Sequence, residues 1–183
     1  MTFLIRLADA IDRFNERFGR WVYWLTLAMV ILGAYNTVVR YMDRYTGLGM
    51  SSNTYLELQW YFFSIVFLLG AAYTLKHDAH VRVDVLYSKF GPKGRAIINL
   101  AGLLVFLIPF CMVMIVTSWP AVIHSWEVLE MSPDPGGLPR YPIKTIIPIA
   151  FLLILVQGVS MGIRQLAVLS GFRKGDGPQE GAA

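Results

Sequence analysis

The sequence predicts an all-α integral membrane protein: four transmembrane helices with both termini inside, plus an N-terminal amphipathic interfacial helix. Three observations predict it. The 183-residue chain is 56% hydrophobic and only 15% charged, where a soluble domain carries about 25% charge. Four long runs contain no charged residue, each close to or above the roughly 20 residues that cross a bilayer core. The basic residues cluster at one side of those runs. A water-soluble chain of this length has too much surface to hide so much apolar material. The single cysteine, Cys111, excludes an internal disulfide and a cysteine-based metal cluster.

Residues 1–20 come first. Leu4, Leu7, Ile11, Phe14 and Phe18 recur at spacings of three and four, which places them on one helical face. Arg6, Asp9, Asp12, Arg13, Glu16 and Arg17 cover the remainder. Such a helix suits the inner membrane interface. No cleavable signal is expected, because the following apolar run is too long for a signal core and no A-x-A site follows. The first span is then 21–39, the outer loop 40–57 and the second span 58–75. Backbone amides cannot be left bare in lipid, so each run must be helical. A cytoplasmic or interfacial loop, 76–95, leads to the third span, 96–123. That run exceeds one straight crossing. Pro109 lies at its middle and predicts a kink, and Trp119 and Pro120 mark its outer end. A second outer loop, 124–144, precedes the fourth span, 145–163. The tail, 164–183, is Gly-rich and polar and is expected to be disordered.

Charge sets the orientation. Arg6, Arg13, Arg17 and Arg20 precede the first span. Lys76, Arg82, Lys89, Lys93 and Arg95 lie between the second and third, and Arg164, Arg173 and Lys174 follow the fourth. Only Arg40, Arg44, Arg140 and Lys144 lie on the other side. Lys and Arg concentrate on the cytoplasmic side, so both termini are read as cytoplasmic.

The spans are as informative for what they lack. An ion or proton carrier usually keeps ionisable groups within the membrane, and these spans hold no Asp, Glu, Lys, Arg or His. Their polar groups, among them Thr26, Thr37, Ser64, Thr74, Gln157 and Ser160, are types that more often join helices than line a path. The chain alone is therefore not expected to carry a charged substrate. Glu57 stands at the outer edge of the second span, not within it. A haem protein needs facing axial ligands, but His77, His80 and His124 lie at span ends on opposite sides. His77, Asp78, His80 and Asp84 are ligand-type residues with no second cluster to complete a metal site. No catalytic residue, metal, cofactor or nucleic-acid partner is expected. Gly158 with Gly162, and Gly33 with Thr37, are small-residue pairs that let helices approach closely.

Three segments carry a resemblance. Glu57-Leu-Gln59 opens the second span, and His80-Val-Arg82-Val-Asp84 follows it. The run from Pro135 to Lys144, Pro-Gly-Gly-Leu-Pro-Arg-Tyr-Pro-Ile-Lys, precedes Pro148 and Gln157-Gly158. In this order they resemble the small membrane subunit of TRAP (tripartite ATP-independent periplasmic) transporters, over roughly residues 10–170. The resemblance implies a large membrane subunit of about a dozen spans, which holds the sodium and substrate sites and moves like an elevator. It also implies a periplasmic binding protein that delivers an organic acid, and a bacterial inner-membrane location. The small subunit would be a fixed scaffold, here on a chain separate from the large one. Candidate assembly residues are Glu57, Gln59, His80, Arg82, Asp84, Gly158 and Gly162. Candidate docking residues for the binding protein are Arg40, Arg44, Glu127, Glu130 and Arg140. Membrane lipids complete the expected partners. Two rival readings are a small four-helix redox or haem protein, resting on His77 and His80, and a self-sufficient small transporter working as an oligomer.

Overall fold

The computed structural model describes residues 2–47, 49, 52–77 and 89–171. The described chain is almost wholly helical: α1 (Thr2–Thr46), α2 (Asn53–Lys76), α3 (Pro92–Gly102), a π-helical turn (Leu103–Leu107), α4 (Ile108–Glu127) and α5 (Tyr141–Leu169). α3, the π turn and α4 form one unbroken rod, Pro92–Glu127, so four helical rods are long and apolar enough to cross a membrane.

The first expected boundary is absent. No break separates residues 1–20 from the first span, and α1 runs 45 residues, about 68 Å at 1.5 Å per residue. That is about twice the hydrocarbon thickness. Nothing in α1 interrupts helical hydrogen bonding, since it holds no proline. Its buried face is Ala8, Asn15, Gly19 and Val22. The apolar stripe is not that face, because Leu4, Leu7 and Phe14 stay exposed.

α2 starts at Ser52, whose hydroxyl accepts the Thr54 amide at 3.2 Å and so serves one of the helix's unpaired N–H groups. α3 starts with Pro92 after Gly91, where a missing amide costs nothing. The third rod differs from expectation at its end. Its irregularity lies just before Pro109, in the π turn, where the Ile108 N–H reaches back five residues to the Leu103 carbonyl. The wider turn shifts bonding around a proline that has no amide to give. The helix passes through Pro120 and ends only at Glu127.

α5 is the centre. It packs against α1, α2, α3 and α4, while α1 and α2 also pack on each other. Of its most apolar window 39% is buried, against 11% for the third rod and 17% for α1 and for α2. Gly158 and Gly162 explain the close seat of the third rod. A Cβ on Gly158 would lie 2.9 Å from Leu103 and Leu107, and one on Gly162 would lie 2.8 Å from Leu103. The two glycines thus form a trough for the leucines of the π turn, within this chain. Most span hydroxyls serve their own helix: Thr37 bonds the Gly33 carbonyl, Ser64 that of Trp60, Thr74 that of Gly70 and Thr117 that of Val113.

Candidate functional site

Two polar clamps sit at opposite ends of the bundle, separated by apolar packing, and are named inner and outer after the orientation that the charge pattern predicts. The inner clamp joins the first half of α1 to the ends of α2 and α5. Gln157, 2% exposed, uses both ends of its amide. Its Nε2 donates to Asp12 at 2.9 Å and its Oε1 accepts from Asn15 at 2.5 Å. Ser160 donates to Asp12 at 2.7 Å and also lies 3.2 Å from the Ala8 carbonyl. Arg164 pairs with Asp12 and with Asp9, the latter at 2.8 Å. One turn further along α1, Glu16 accepts from Lys76 at 2.5 Å and contacts His77 at 2.9 Å. A buried amide or carboxylate left unpaired would cost several kcal/mol of order; here each has a partner. Sequence reasoning missed this site. Its signal was present, because Ala8, Asp12, Asn15 and Gly19 on α1 and Gln157, Ser160 and Arg164 on α5 each repeat at helical spacing.

The outer clamp holds the loop between α4 and α5. Where α4 ends, the Glu130 amide bonds the Ser125 carbonyl and the Leu129 amide bonds that of Trp126. This is a Schellman closure with Leu129 at φ 46°, a position usually given to glycine. The closure turns Glu130 back toward the bundle. Its carboxylate accepts from Ser125 at 2.7 Å and pairs with Lys144. Lys144 first, and Ser125 next, hold the Glu130 carboxyl below its ordinary pKa. The loop then doubles back through a Met131–Pro139 bridge, with Gly136 at φ 72°. The start of α2 captures it: Thr54 donates to the Gly136 carbonyl at 2.5 Å, and Tyr61 to that of Pro139 at 2.8 Å. Glu57, 2% exposed, accepts the Leu138 amide at 2.5 Å and the Ser132 hydroxyl. The Arg140 guanidinium lies 5.9 Å over the Trp60 ring.

The candidate residues therefore separate. Glu57 was expected to face a partner, but it is buried against its own chain's loop, where its carboxylate is fully used. Gly158 and Gly162 are filled by Leu103 and Leu107. Gln59 faces Gly33 across the α1–α2 contact. His80, Arg82 and Asp84 lie outside the described residues. Arg40, Arg44 and Glu127 are exposed at the outer ends of α1 and α4. Glu130 and Arg140 are half-buried in the clamp. Among the described residues, no group of three His, Cys, Asp or Glu is arranged to hold a metal ion.

Between the clamps, the open flanks of the bundle are apolar. Trp24, Leu27, Val30, Ile31 and Val38 stand free on α1, and Leu104, Val105, Phe106, Val113 and Val116 on the third rod. A multi-pass bundle with polar ends, charge-free middles and apolar flanks is the physical frame for the comparison with known proteins. Residues 29–168 match the family described as tripartite ATP-independent periplasmic transporters, DctQ component. The chain belongs to the DctQ family. The match takes in α2 to α4, nearly all of α5 and the second part of α1. No curated protein and no solved structure gives a significant match. DctQ proteins are transporter components and not a known enzyme family. As a DctQ protein, this chain is a multi-pass membrane subunit of a TRAP transporter. The inner clamp's α1 residues, Asp9 to Glu16, precede the matched region, whereas Gln157, Ser160 and Arg164 fall inside it.

Proposed function

We propose that this DctQ protein is the fixed scaffold of a sodium-driven, binding-protein-dependent transporter importing a carboxylate-type organic acid across the bacterial inner membrane, with both termini cytoplasmic. The observation that carries the reading is the DctQ match over spans without ionisable groups. A chain with no charged path has nothing of its own with which to move sodium or a carboxylate. The clamps support a static role. They tie α1, α2, α5 and the α4–α5 loop together at both ends, so a moving partner would meet one stiff body. The free apolar flanks of α1 and the third rod are available to lipid and to the large subunit.

In this reading Arg40, Arg44 and Glu127 are free to meet the docked binding protein, with Arg140 and Glu130 shaping the loop beside them. His80, Arg82 and Asp84 are proposed to contact the large subunit from the inner side. Co-expression with the large subunit and binding protein from the same gene neighbourhood tests the proposal. The expected result is co-purification in mild detergent, and sodium-gradient uptake in proteoliposomes only when both membrane subunits are present. Uptake by this chain alone would overturn the scaffold role.

A further inference from the structure

The inner clamp borders an open groove of about 590 Å³. Five bases line it: Arg13, Arg17 and Arg20 from α1, Lys76 from the end of α2 and Arg164 from α5. Three acids, Asp9, Asp12 and Glu16, also line it. Each acid already has a base: Arg164 holds Asp9 and Asp12, while Lys76 and Arg20 hold Glu16. Among the described residues, Arg13 and Arg17 are left with no acid. They stand four apart along α1 with Arg20 three further on, so three basic residues share one side of the helix. An anion in the groove would give Arg13 and Arg17 a counter-charge.

We propose that this groove binds the phosphate headgroup of an anionic phospholipid. Guanidinium forks match phosphate oxygens in geometry and charge. The surroundings favour a lipid over a free anion. The apolar stripe does not line the groove but runs along its edge: Phe14 and Trp21, three and four residues from Arg17, are exposed, and Phe14 stacks on Phe18 with ring centroids 5.9 Å apart. An acyl chain beside the groove covers these surfaces; a soluble phosphate leaves them bare. The groove also opens at Lys76, the last residue of α2, and at Arg164, where the charge-free run of α5 stops, the level at which headgroups begin. The lipid would then seal α1 to the bundle where the protein's own acids are already used. Only the identity of the donating leaflet rests on the orientation proposed above.

The test uses the purified full chain in neutral detergent, titrated separately with phosphatidylglycerol, phosphatidylcholine and inorganic phosphate. Phosphatidylglycerol is expected to bind saturably, and the double variant Arg13→Gln, Arg17→Gln to bind it about thirtyfold more weakly, from the surface attraction of two bases. Arg13→Lys with Arg17→Lys keeps the charge but not the forks and should bind more weakly than the original yet more tightly than the glutamine variant. Lys89→Gln with Lys93→Gln removes two bases on the same side that do not line the groove, and should bind like the original. Both glutamine variants should melt as the original does without added lipid. Unchanged binding in the arginine variant, or equal loss in the lysine variant, would overturn the site. Inorganic phosphate binding as tightly as phosphatidylglycerol would overturn the lipid assignment. These readouts need no partner subunit, so a failed co-purification would leave the site standing, and the reverse holds equally.

Discussion

Glu57 illustrates how one side chain decides an outer surface. It is a carboxylate buried at the head of α2 whose oxygens are spent on the Leu138 amide and the Ser132 hydroxyl. Glu57→Ala would leave that amide without a partner. We expect a loss of about 1–3 kcal/mol, read as a lower melting temperature in detergent, with faster amide exchange confined to residues 130–140. Glu130 behaves differently, because it sits at the loop surface. Its pKa is lowered in the folded protein by Lys144 and Ser125. The ionised form therefore contributes stability that is complete above the ordinary carboxylate pKa of about 4.3. That contribution is lost as pH falls through the lowered value. Trp126 packs at a tilt against Tyr141 beside this pair, centroids 4.5 Å apart. Its fluorescence is expected to change on acidification below pH about 4, and Glu130→Gln should remove that transition.

Among the elements, the instructive contact is α1 on α5. Membrane helices associate through small residues and hydrogen bonds because lipid removes the hydrophobic drive between them. Ala8 supplies the close approach, and Asp12 and Asn15 supply the bonds; Gly19 gives the same room to Tyr73 of α2. Asp12→Ala and Arg164→Ala are each expected to destabilise by about 1–3 kcal/mol, since both groups are partly solvated. The double variant should cost less than their sum by 0.5 kcal/mol or more, in the manner of neighbours sharing one network. Additive losses in a thermal-melt cycle would mean that the pair is not coupled. The end of α4 offers a gain instead. Leu129 occupies a left-handed position, which costs an L-residue about 1–2 kcal/mol, and its side chain is 59% exposed. Leu129→Gly should raise stability by about 1 kcal/mol or slightly less, because glycine relieves the strain but loosens the unfolded chain.

For the whole molecule, the twelve-to-four division of basic residues makes a prediction that the helices themselves do not test. In a Cys111→Ala background, Thr46→Cys and Ser170→Cys stand at opposite ends of the bundle, both exposed. A membrane-impermeant maleimide applied to spheroplasts should label position 46 at once and position 170 only after permeabilisation. The reverse pattern would invert the orientation. The same scale explains why α5 carries so many small and polar residues. It alone is covered by all the others, while the flanks of α1 and the third rod can remain plain hydrocarbon.

The sequence by itself determined the four apolar rods, the displacement of charge to their ends and the family to which they belong. Each of these follows from composition along the chain, which the bilayer thickness converts directly into length. Helix ends were less legible. α1 absorbed the segment read as a separate helix, and the third rod ran past Pro120, because helical hydrogen bonding continues until something stops it. Only the tertiary structure decided what the polar residues do. Asp12, Asn15 and Gln157 are far apart in sequence and ordinary taken singly; they become a clamp because antiparallel packing brings α1 and α5 face to face. Glu57 lies 81 residues from the amide it binds. Such pairings depend on where helices cross, and spacing within one helix carries no record of the crossing.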